Sequence, residues 1–200
     1  CVPDHPKYRA GKMTQTNRLN IAKPGGFWFF AYGSLMWDPP FPPADSQPAR
    51  VYGYHRSFCV SSENYRGTPE KPGLSLGLDQ GGSCTGVALY IDDASREHAI
   101  REIEAREMIY DPIYICRPVR LQLPNETVQG YTLVVNREER IFAGRLDFEE
   151  TARRIASSAG KRGPNIDYLA NTVARLDDMN ISEGHLHHLL RRATQLRSGS

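Results

Sequence analysis

Short segments rich in β-forming residues, separated by glycine and proline turns, fill the chain from Phe27 to Asn136 and constrain its fold more than any other feature. We predict strands over residues 27–32, 50–61, 74–79, 85–91, 112–123 and 127–135. The cluster Gln80-Gly81-Gly82-Ser83 is typical of a hairpin turn between the third and fourth of these strands. Many short strands between such turns favour a barrel or a strongly curved sheet over a doubly wound fold.

Helical patterns occupy one stretch between the strands and the C-terminal third, so the chain is of the α+β class. One helix is predicted over residues 94–108, where Ala99, Ile100 and Ile103 form an apolar stripe. Three more are predicted over residues 148–158, 166–176 and 183–196, with side-chain caps at Asp147, Asn165 and Ser182.

Length and charge limit the classes of protein that remain. The 200 residues suit a single domain, which we place at residues 27–197 after a polar N-terminal arm at residues 1–26. The net charge is only +2, with 25 Lys and Arg against 23 Asp and Glu, whereas nucleic-acid-binding proteins are usually strongly basic. No apolar run reaches the roughly 18–20 residues that cross a bilayer. We therefore expect neither a nucleic acid nor a membrane as a partner.

The cysteine pattern predicts reduced thiols rather than a disulfide framework or a zinc site. The four cysteines are scattered and contain no C-x-x-C pair, which is typical of a cytoplasmic protein. They are Cys1, Cys59, Cys84 and Cys116. The chain also has no P-loop and no G-x-G-x-x-G motif, and His185 and His188 share a helix face without a third ligand. We therefore expect no metal and no nucleotide cofactor.

The turn Tyr32-Gly33-Ser34-Leu35, at the end of the first predicted strand, is a candidate binding site. A strand that ends at a glycine lets successive backbone N–H groups point to one spot, and such donors bind a carboxylate or a developing oxyanion. A tight turn without a ligand is the alternative interpretation of these residues.

Glu107, near the end of the helix over residues 94–108, is a candidate general base. At 100° per residue it lies at the boundary of the apolar stripe, four residues after Ile103. Partial burial there would raise the pKa of its carboxyl toward the range useful for proton transfer. The alternative is an ordinary surface charge with Arg101 and Arg106 as helix partners.

A polar loop over residues 61–68 follows one predicted strand and precedes the next. Loops at the rim of a barrel carry binding residues more often than cores do. This loop contains Arg66, whose guanidinium could pair with a carboxylate through two hydrogen bonds. A solvated hairpin loop is the alternative.

Seven motifs occur along the chain in order: FFAYGSLMW (29–37), GYHRSFC (53–59), YRGTPEKPGL (65–74), LGLD (76–79), GGSCTGVA (81–88), REM (106–108) and NIDYL (165–169). Together they resemble the ChaC-type, glutathione-specific γ-glutamylcyclotransferases, and most closely the bacterial branch of that family. The resemblance extends from Phe27 to about Leu196.

The resemblance implies a small β-barrel with packed helices, and conversion of glutathione to 5-oxoproline and cysteinylglycine without a cofactor. It implies that Glu107 is the catalytic acid and base and that Tyr168 is a further active-site residue. It assigns substrate binding to Tyr32, Gly33, Ser34 and Leu35. Ala31 departs from the pattern, because the family usually has glycine before the tyrosine. Arg66 is our own candidate for a carboxylate of glutathione.

Two alternative functions remain compatible with these residues. One is a non-catalytic module on the same barrel that binds γ-glutamyl compounds or docks a partner. The other is a cyclotransferase for other γ-glutamyl peptides or amines. The orientation of Glu107 relative to the Tyr32–Leu35 turn distinguishes the enzyme from the module.

Overall fold

Five strands form a closed barrel in the part of the chain that a computed structural model describes, residues 19–21, 23–108 and 113–199. They are β1 (Phe27–Ala31), β2 (Asp45–Ser62), β3 (Gly73–Ile91), β4 (Tyr114–Gln122) and β5 (Thr127–Val135). Around the barrel their order is β1-β3-β2-β4-β5, and neighbours are antiparallel. The barrel closes through a parallel pairing of β5 with β1, in which Gly130 lies opposite Trp28. The predicted α+β fold with a small barrel is confirmed.

Four helices accompany the barrel within the described residues: α1 (Arg96–Glu107), α2 (Phe148–Ser157), α3 (Asn165–Asp178) and α4 (Gly184–Ser198). A two-stranded ribbon, β6 (Ala159–Gly160) and β7 (Gly163–Pro164), lies between α2 and α3. The predicted stripe of α1 is buried. The predicted cap of α2 is also present, because the Asp147 carboxylate accepts a hydrogen bond from the Glu150 N–H at 2.7 Å.

The predicted hairpin between residues 79 and 85 is wrong, because β3 continues through it. Gly81 and Gly82 have φ angles of +99° and +68° and lie in a bulge, where the pairing with β2 shifts between Tyr52 and Tyr54. Glycine is favoured in a bulge for the same reason as in a hairpin turn, since both require positive φ. Strands β2 and β3 are connected instead by residues 63–72.

Two predicted caps are also wrong. Asn165 is the first residue of α3, and its side chain contacts the backbone of Leu74 in β3 instead of its own helix. The last helix begins at Gly184 after Glu183, with no side-chain cap from Ser182. At both helix starts a side chain contacts a distant strand instead of capping the helix. Asn165 contacts Leu74 of β3, and the Glu183 carboxylate pairs with Arg56 of β2.

Residues 1–18 and 22 of the predicted arm lie outside the described residues. The end of the arm packs on α1, where Leu19 and Ile21 are buried. The Leu19 N–H donates to the Glu104 carboxylate at 3.0 Å. The Arg96 guanidinium donates to the carbonyl oxygen of Ile21 at 2.6 Å.

Buried side chains fall into two main clusters that lie on opposite faces of β1. Phe29 packs with apolar residues of the helices, among them Ile103 of α1 and Leu169 of α3. Phe30 belongs to a second cluster, to which all five barrel strands contribute. This alternation is the period of two that a strand imposes on its side chains.

None of the helices in the described ranges has the length and apolar character that crossing a bilayer requires.

Candidate active site

A cavity lies where β1 ends. Six elements of the chain contribute to its wall: β1 with the turn after it, β3, α1, β4, β5 and α3. The lining residues are Phe29, Phe30, Ala31, Tyr32, Gly33, Ser34, Leu35, Leu76, Glu107, Tyr114, Leu133 and Tyr168. The cavity therefore brings together the Tyr32–Leu35 turn, Glu107 and Tyr168, which the sequence analysis singled out.

The turn after β1 presents backbone donors at this cavity. Ser34–Met36 form a single 3₁₀ turn, in which the Met36 N–H donates to the Gly33 carbonyl at 2.9 Å. The N–H groups of Gly33, Ser34 and Leu35 find no acceptor among the described residues. Buried N–H groups are rarely left unpaired in proteins, so donors of this kind at a cavity wall are suited to an anionic ligand.

Glu107 is the last residue of α1, and 22% of its side chain is exposed. Burial raises the pKa of its carboxyl above the ordinary value, and the positive charges of Arg106 and Arg162 oppose this increase only in part. A carboxyl with a raised pKa accepts a proton more readily near neutral pH.

Three tyrosines share the cavity with Glu107, and all of them remain protonated at neutral pH. Burial raises the pKa of Tyr32 and of Tyr114 well above the usual phenol value, and it raises the pKa of Tyr168 to about 12. The negative charge of Glu107 contributes to each increase. Among the described lining residues, Glu107 is therefore the one side chain suited to accept a proton, while the phenols are hydrogen-bonding groups.

The position of Tyr168 follows from the start of α3. The Asn165 amide oxygen accepts from the Leu74 N–H at 2.6 Å, and its amide nitrogen donates to the Leu74 carbonyl at 2.8 Å. Because Tyr168 lies three residues later, it is on the same face of α3 and points toward β3. The edge-to-face contact with Phe58, at 5.8 Å between ring centres, fixes the ring further.

Arg66 does not line the cavity itself. It lies in the loop between β2 and β3, with its guanidinium carbon 5.0 Å from the centre of the Tyr168 ring. One of its nitrogens donates to the Arg162 carbonyl at 2.5 Å. Arg66 is thus adjacent to the cavity through its contact with Tyr168, which is one of the wall residues.

Sequence reasoning missed two residues of this site. Tyr114 enters the cavity from the start of β4, and its hydroxyl donates to the Leu76 carbonyl at 2.9 Å. Arg106 was considered as a helix partner and as part of the REM motif, but its contact with the turn was not predicted: it donates to the Ser34 hydroxyl at 3.0 Å. No local pattern distinguishes either residue, because both contacts cross between elements distant in sequence. Ala31 is buried in the wall and is accommodated there.

The model of the ChaC-like protein family matches residues 27–196. This chain belongs to the ChaC-like family. The family predicted from the seven motifs is therefore confirmed, and the match covers the barrel and nearly all of the C-terminal helices of this ChaC-like chain.

Curated relatives of this ChaC-like chain come from bacteria, plants, animals and fungi. The glutathione-specific gamma-glutamylcyclotransferase of Escherichia coli is 30% identical, over 83% of this chain and 72% of its own. Gamma-glutamylcyclotransferase 2-3 of Arabidopsis thaliana is also 30% identical, over 86% of this chain and 91% of its own. The crystal structure of a yeast γ-glutamylcyclotransferase specific to glutathione has a TM-score of 0.78 at 22% identity, over 88% and 99% of the two chains. It supports the same fold.

Proposed function

We propose that this chain is a γ-glutamylcyclotransferase that converts glutathione to 5-oxoproline and cysteinylglycine. The observation that carries the proposal is that the Glu107 carboxyl and the unpaired N–H groups of the Tyr32–Leu35 turn line one cavity. A base and an anion-binding group side by side are what an intramolecular acyl transfer requires. The names of the curated relatives support the same substrate.

The reaction begins with the α-amine of the substrate, which is an ammonium at neutral pH and cannot attack. Glu107 removes one proton, and the free amine attacks the γ-amide carbonyl to close a five-membered ring. The tetrahedral intermediate then collapses with cleavage of the bond to the cysteinyl nitrogen, which takes up the proton from Glu107. The ring nitrogen loses its second proton to the Glu107 carboxylate, which passes it to the released amine, so that cysteinylglycine leaves as an ammonium. One carboxyl therefore acts first as base and then as acid, and general acid–base catalysis of this kind contributes about 10²–10⁴-fold.

The remaining cavity residues bind and orient the substrate. The N–H groups of Gly33, Ser34 and Leu35 donate to an anionic oxygen, either the substrate carboxylate or the oxygen of the tetrahedral intermediate. The phenol of Tyr168 lines the same cavity and contacts the bound γ-glutamyl group. Holding the amine near the carbonyl contributes to the rate through proximity.

Arg66 binds a carboxylate of glutathione in this proposal. Its guanidinium is adjacent to Tyr168 and so lies beside the cavity, at a position that a longer γ-glutamyl peptide can reach. Arg66 therefore favours a substrate with a second carboxylate. γ-Glutamyl-alanine also has a second carboxylate, but one residue nearer to the γ-amide, so parallel assays should show a preference for glutathione if Arg66 binds the glycine carboxylate.

We also infer that the protein works in the cytoplasm, where thiols stay reduced. Cys59, Cys84 and Cys116, the cysteines in the described ranges, are free thiols. Burial raises the pKa of Cys59 to about 12 and the pKa of Cys84 to about 11, so neither is a reactive thiolate.

The variant Glu107→Gln tests the proposal, because an amide cannot accept the proton. We expect release of 5-oxoproline from glutathione to fall by about 10² or more. Glu102→Gln, on the same helix with 41% of its side chain exposed, is the matched control and should retain wild-type turnover. Turnover of Glu107→Gln within a few-fold of wild type would reject Glu107 as the base, and no 5-oxoproline release from the wild-type protein would reject the function.

A further inference from the structure

Arg56 of β2 has a completely buried side chain, yet it does not line the cavity. Its Nε donates to the Tyr32 carbonyl at 2.6 Å, and one Nη donates to the Thr85 carbonyl at 2.8 Å. Its other Nη is paired with the Glu183 carboxylate at the start of α4. The guanidinium thus joins the turn after β1, strand β3 and the loop before α4.

This pair is ionic. Burial alone would raise the pKa of Glu183, but the hydrogen bond from His185 and the charge of Arg56 outweigh burial and lower the pKa overall. Burying two charges is costly, and well-packed apolar side chains are often at least as stabilising as a buried ion pair. The role of the pair therefore lies in the backbone carbonyls that Arg56 binds, those of Tyr32 and Thr85, rather than in a net contribution to stability.

The bond to the Tyr32 carbonyl determines the orientation of the next N–H. The Tyr32–Gly33 peptide is trans, so its C=O and N–H point in opposite directions. Because the C=O points to Arg56, the Gly33 N–H points away from Arg56, and Gly33 is one of the residues that line the cavity. That N–H has no acceptor among the described residues.

The charge of Arg56 also affects the strength of this donor. A hydrogen bond from a cation to a peptide oxygen polarises the amide, which makes its N–H a stronger donor. A buried cation has this effect without competing water. Glu183 neutralises the charge of Arg56 and, by pairing with one Nη, helps to hold the guanidinium in this orientation.

We propose that Arg56, held by Glu183, is a positioning residue that orients and polarises the Tyr32–Gly33 peptide so that the Gly33 N–H binds an anionic oxygen of the substrate. This inference rests on the proposed function for its kinetic consequences. Its structural part, the direction and polarity of one peptide, is independent of the substrate.

Two variants test the proposal. Glu183→Gln removes the counter-charge that holds the guanidinium. The double variant Arg56→Met with Glu183→Leu replaces the pair by apolar side chains but leaves the Tyr32 and Thr85 carbonyls without this donor, so a melting curve establishes that it is folded before it is assayed. Removing a whole oxyanion donor costs about 10²–10³-fold in kcat, so misaligning one should lower kcat/KM by roughly 10- to 100-fold. Asp79→Asn, which breaks an ion pair to Arg137 away from the cavity, is the matched control and should stay within about threefold of wild type.

The chemical shift of the Gly33 amide proton in the folded protein is a measurement that general destabilisation does not change. In ¹H–¹⁵N spectra of the folded proteins, we expect its resonance to shift upfield in both variants and to stay in place in Asp79→Asn. An unmoved Gly33 resonance, or a kcat/KM within threefold of wild type for the folded double variant, would overturn the proposal. If wild type releases no 5-oxoproline, the proposed function fails, whereas the Gly33 resonance still decides the role of Arg56.

Discussion

Arg106 donates a hydrogen bond to the hydroxyl oxygen of Ser34 over 3.0 Å. The same guanidinium donates to the Asp38 carbonyl at 2.5 Å and lies 3.4 Å from a carboxylate oxygen of Glu107. It therefore holds the end of α1 against the turn after β1 and places a positive charge beside the proposed base. This charge lowers the pKa of Glu107, whereas burial raises it by more.

Replacing Arg106 with methionine should raise the Glu107 pKa further, because the cation is lost while burial remains. Glu107 must be ionised to accept a proton, so kcat/KM falls as the pH drops through this pKa. We call the pH range over which kcat/KM falls the acidic limb. In wild type we expect it above the ordinary pKa of glutamate, and in Arg106→Met at a still higher pH. Profiles of kcat/KM against pH measure both positions.

Arg101→Met is the control for this experiment. Arg101 lies on the same helix with 63% of its side chain exposed, and its partner is Glu97 rather than Glu107. Its removal should leave the acidic limb where it is in wild type. An acidic limb of Arg106→Met at the wild-type pH or below would contradict the electrostatic role of Arg106.

The raised pKa of Glu107 also has a consequence for stability. The folded protein binds this proton more tightly than the unfolded chain, so the group favours folding below its unfolded pKa, and this contribution disappears as the pH rises through the folded pKa. At neutral pH the buried carboxylate therefore opposes folding. Glu107→Gln should show a higher Tm than wild type at neutral pH, with a difference that shrinks on acidification. Melting curves across the acidic range measure it, and a constant or reversed difference would count against the raised pKa.

Gly33→Ala should fold normally and bind substrate poorly. A Cβ at Gly33 would meet no protein atom within 4 Å, so the added methyl occupies open space beside the unpaired N–H groups of the turn. One methyl group in a binding pocket changes substrate discrimination by about 10-fold or more, and we expect the loss in kcat/KM to be of that size.

The control for that substitution is Gly184→Ala. Gly184 lies at the exposed start of α4 and also has no atom within 4 Å of an added Cβ. Both variants should melt within a few degrees of wild type, while Gly33→Ala alone loses activity. Wild-type kcat/KM in Gly33→Ala would show that the substrate does not approach this turn.

Asn165→Ala should reduce both stability and activity. The substitution leaves the buried N–H and C=O of Leu74 without their partners, and each unpaired group costs about 1–3 kcal/mol. We expect the free energy of unfolding to fall by roughly 2–4 kcal/mol in denaturant titrations. In the folded fraction kcat/KM should fall as well, since Tyr168 loses the contact that places it.

Asn171→Ala provides the comparison. Asn171 is exposed on the same helix, so it should change the unfolding free energy by less than about 0.5 kcal/mol. Equal stability of the two asparagine variants would contradict the role of the Asn165–Leu74 contact.

The sequence by itself determined the features that depend on near neighbours. The apolar stripe of α1 and the Asp147 cap of α2 were both predicted, because helical periodicity and an N-cap involve residues three or four positions apart. The α+β class and the family followed from the same kind of information, the spacing of turns and the order of short motifs. Glu107 was singled out by its position beside an apolar stripe and by its motif.

Only the tertiary structure decided the features that depend on contacts between distant segments. The double glycine at residues 81 and 82 became a bulge because β2 pairs along the whole of β3. Asn165 binds the backbone of Leu74, and Arg56 donates to the Tyr32 carbonyl. Buried polar groups need hydrogen-bond partners, and the packing of the elements decides which partners are within reach. Residue spacing along the chain predicts local interactions, whereas a hydrogen-bond partner 24 or 91 residues away is defined only once the barrel has closed.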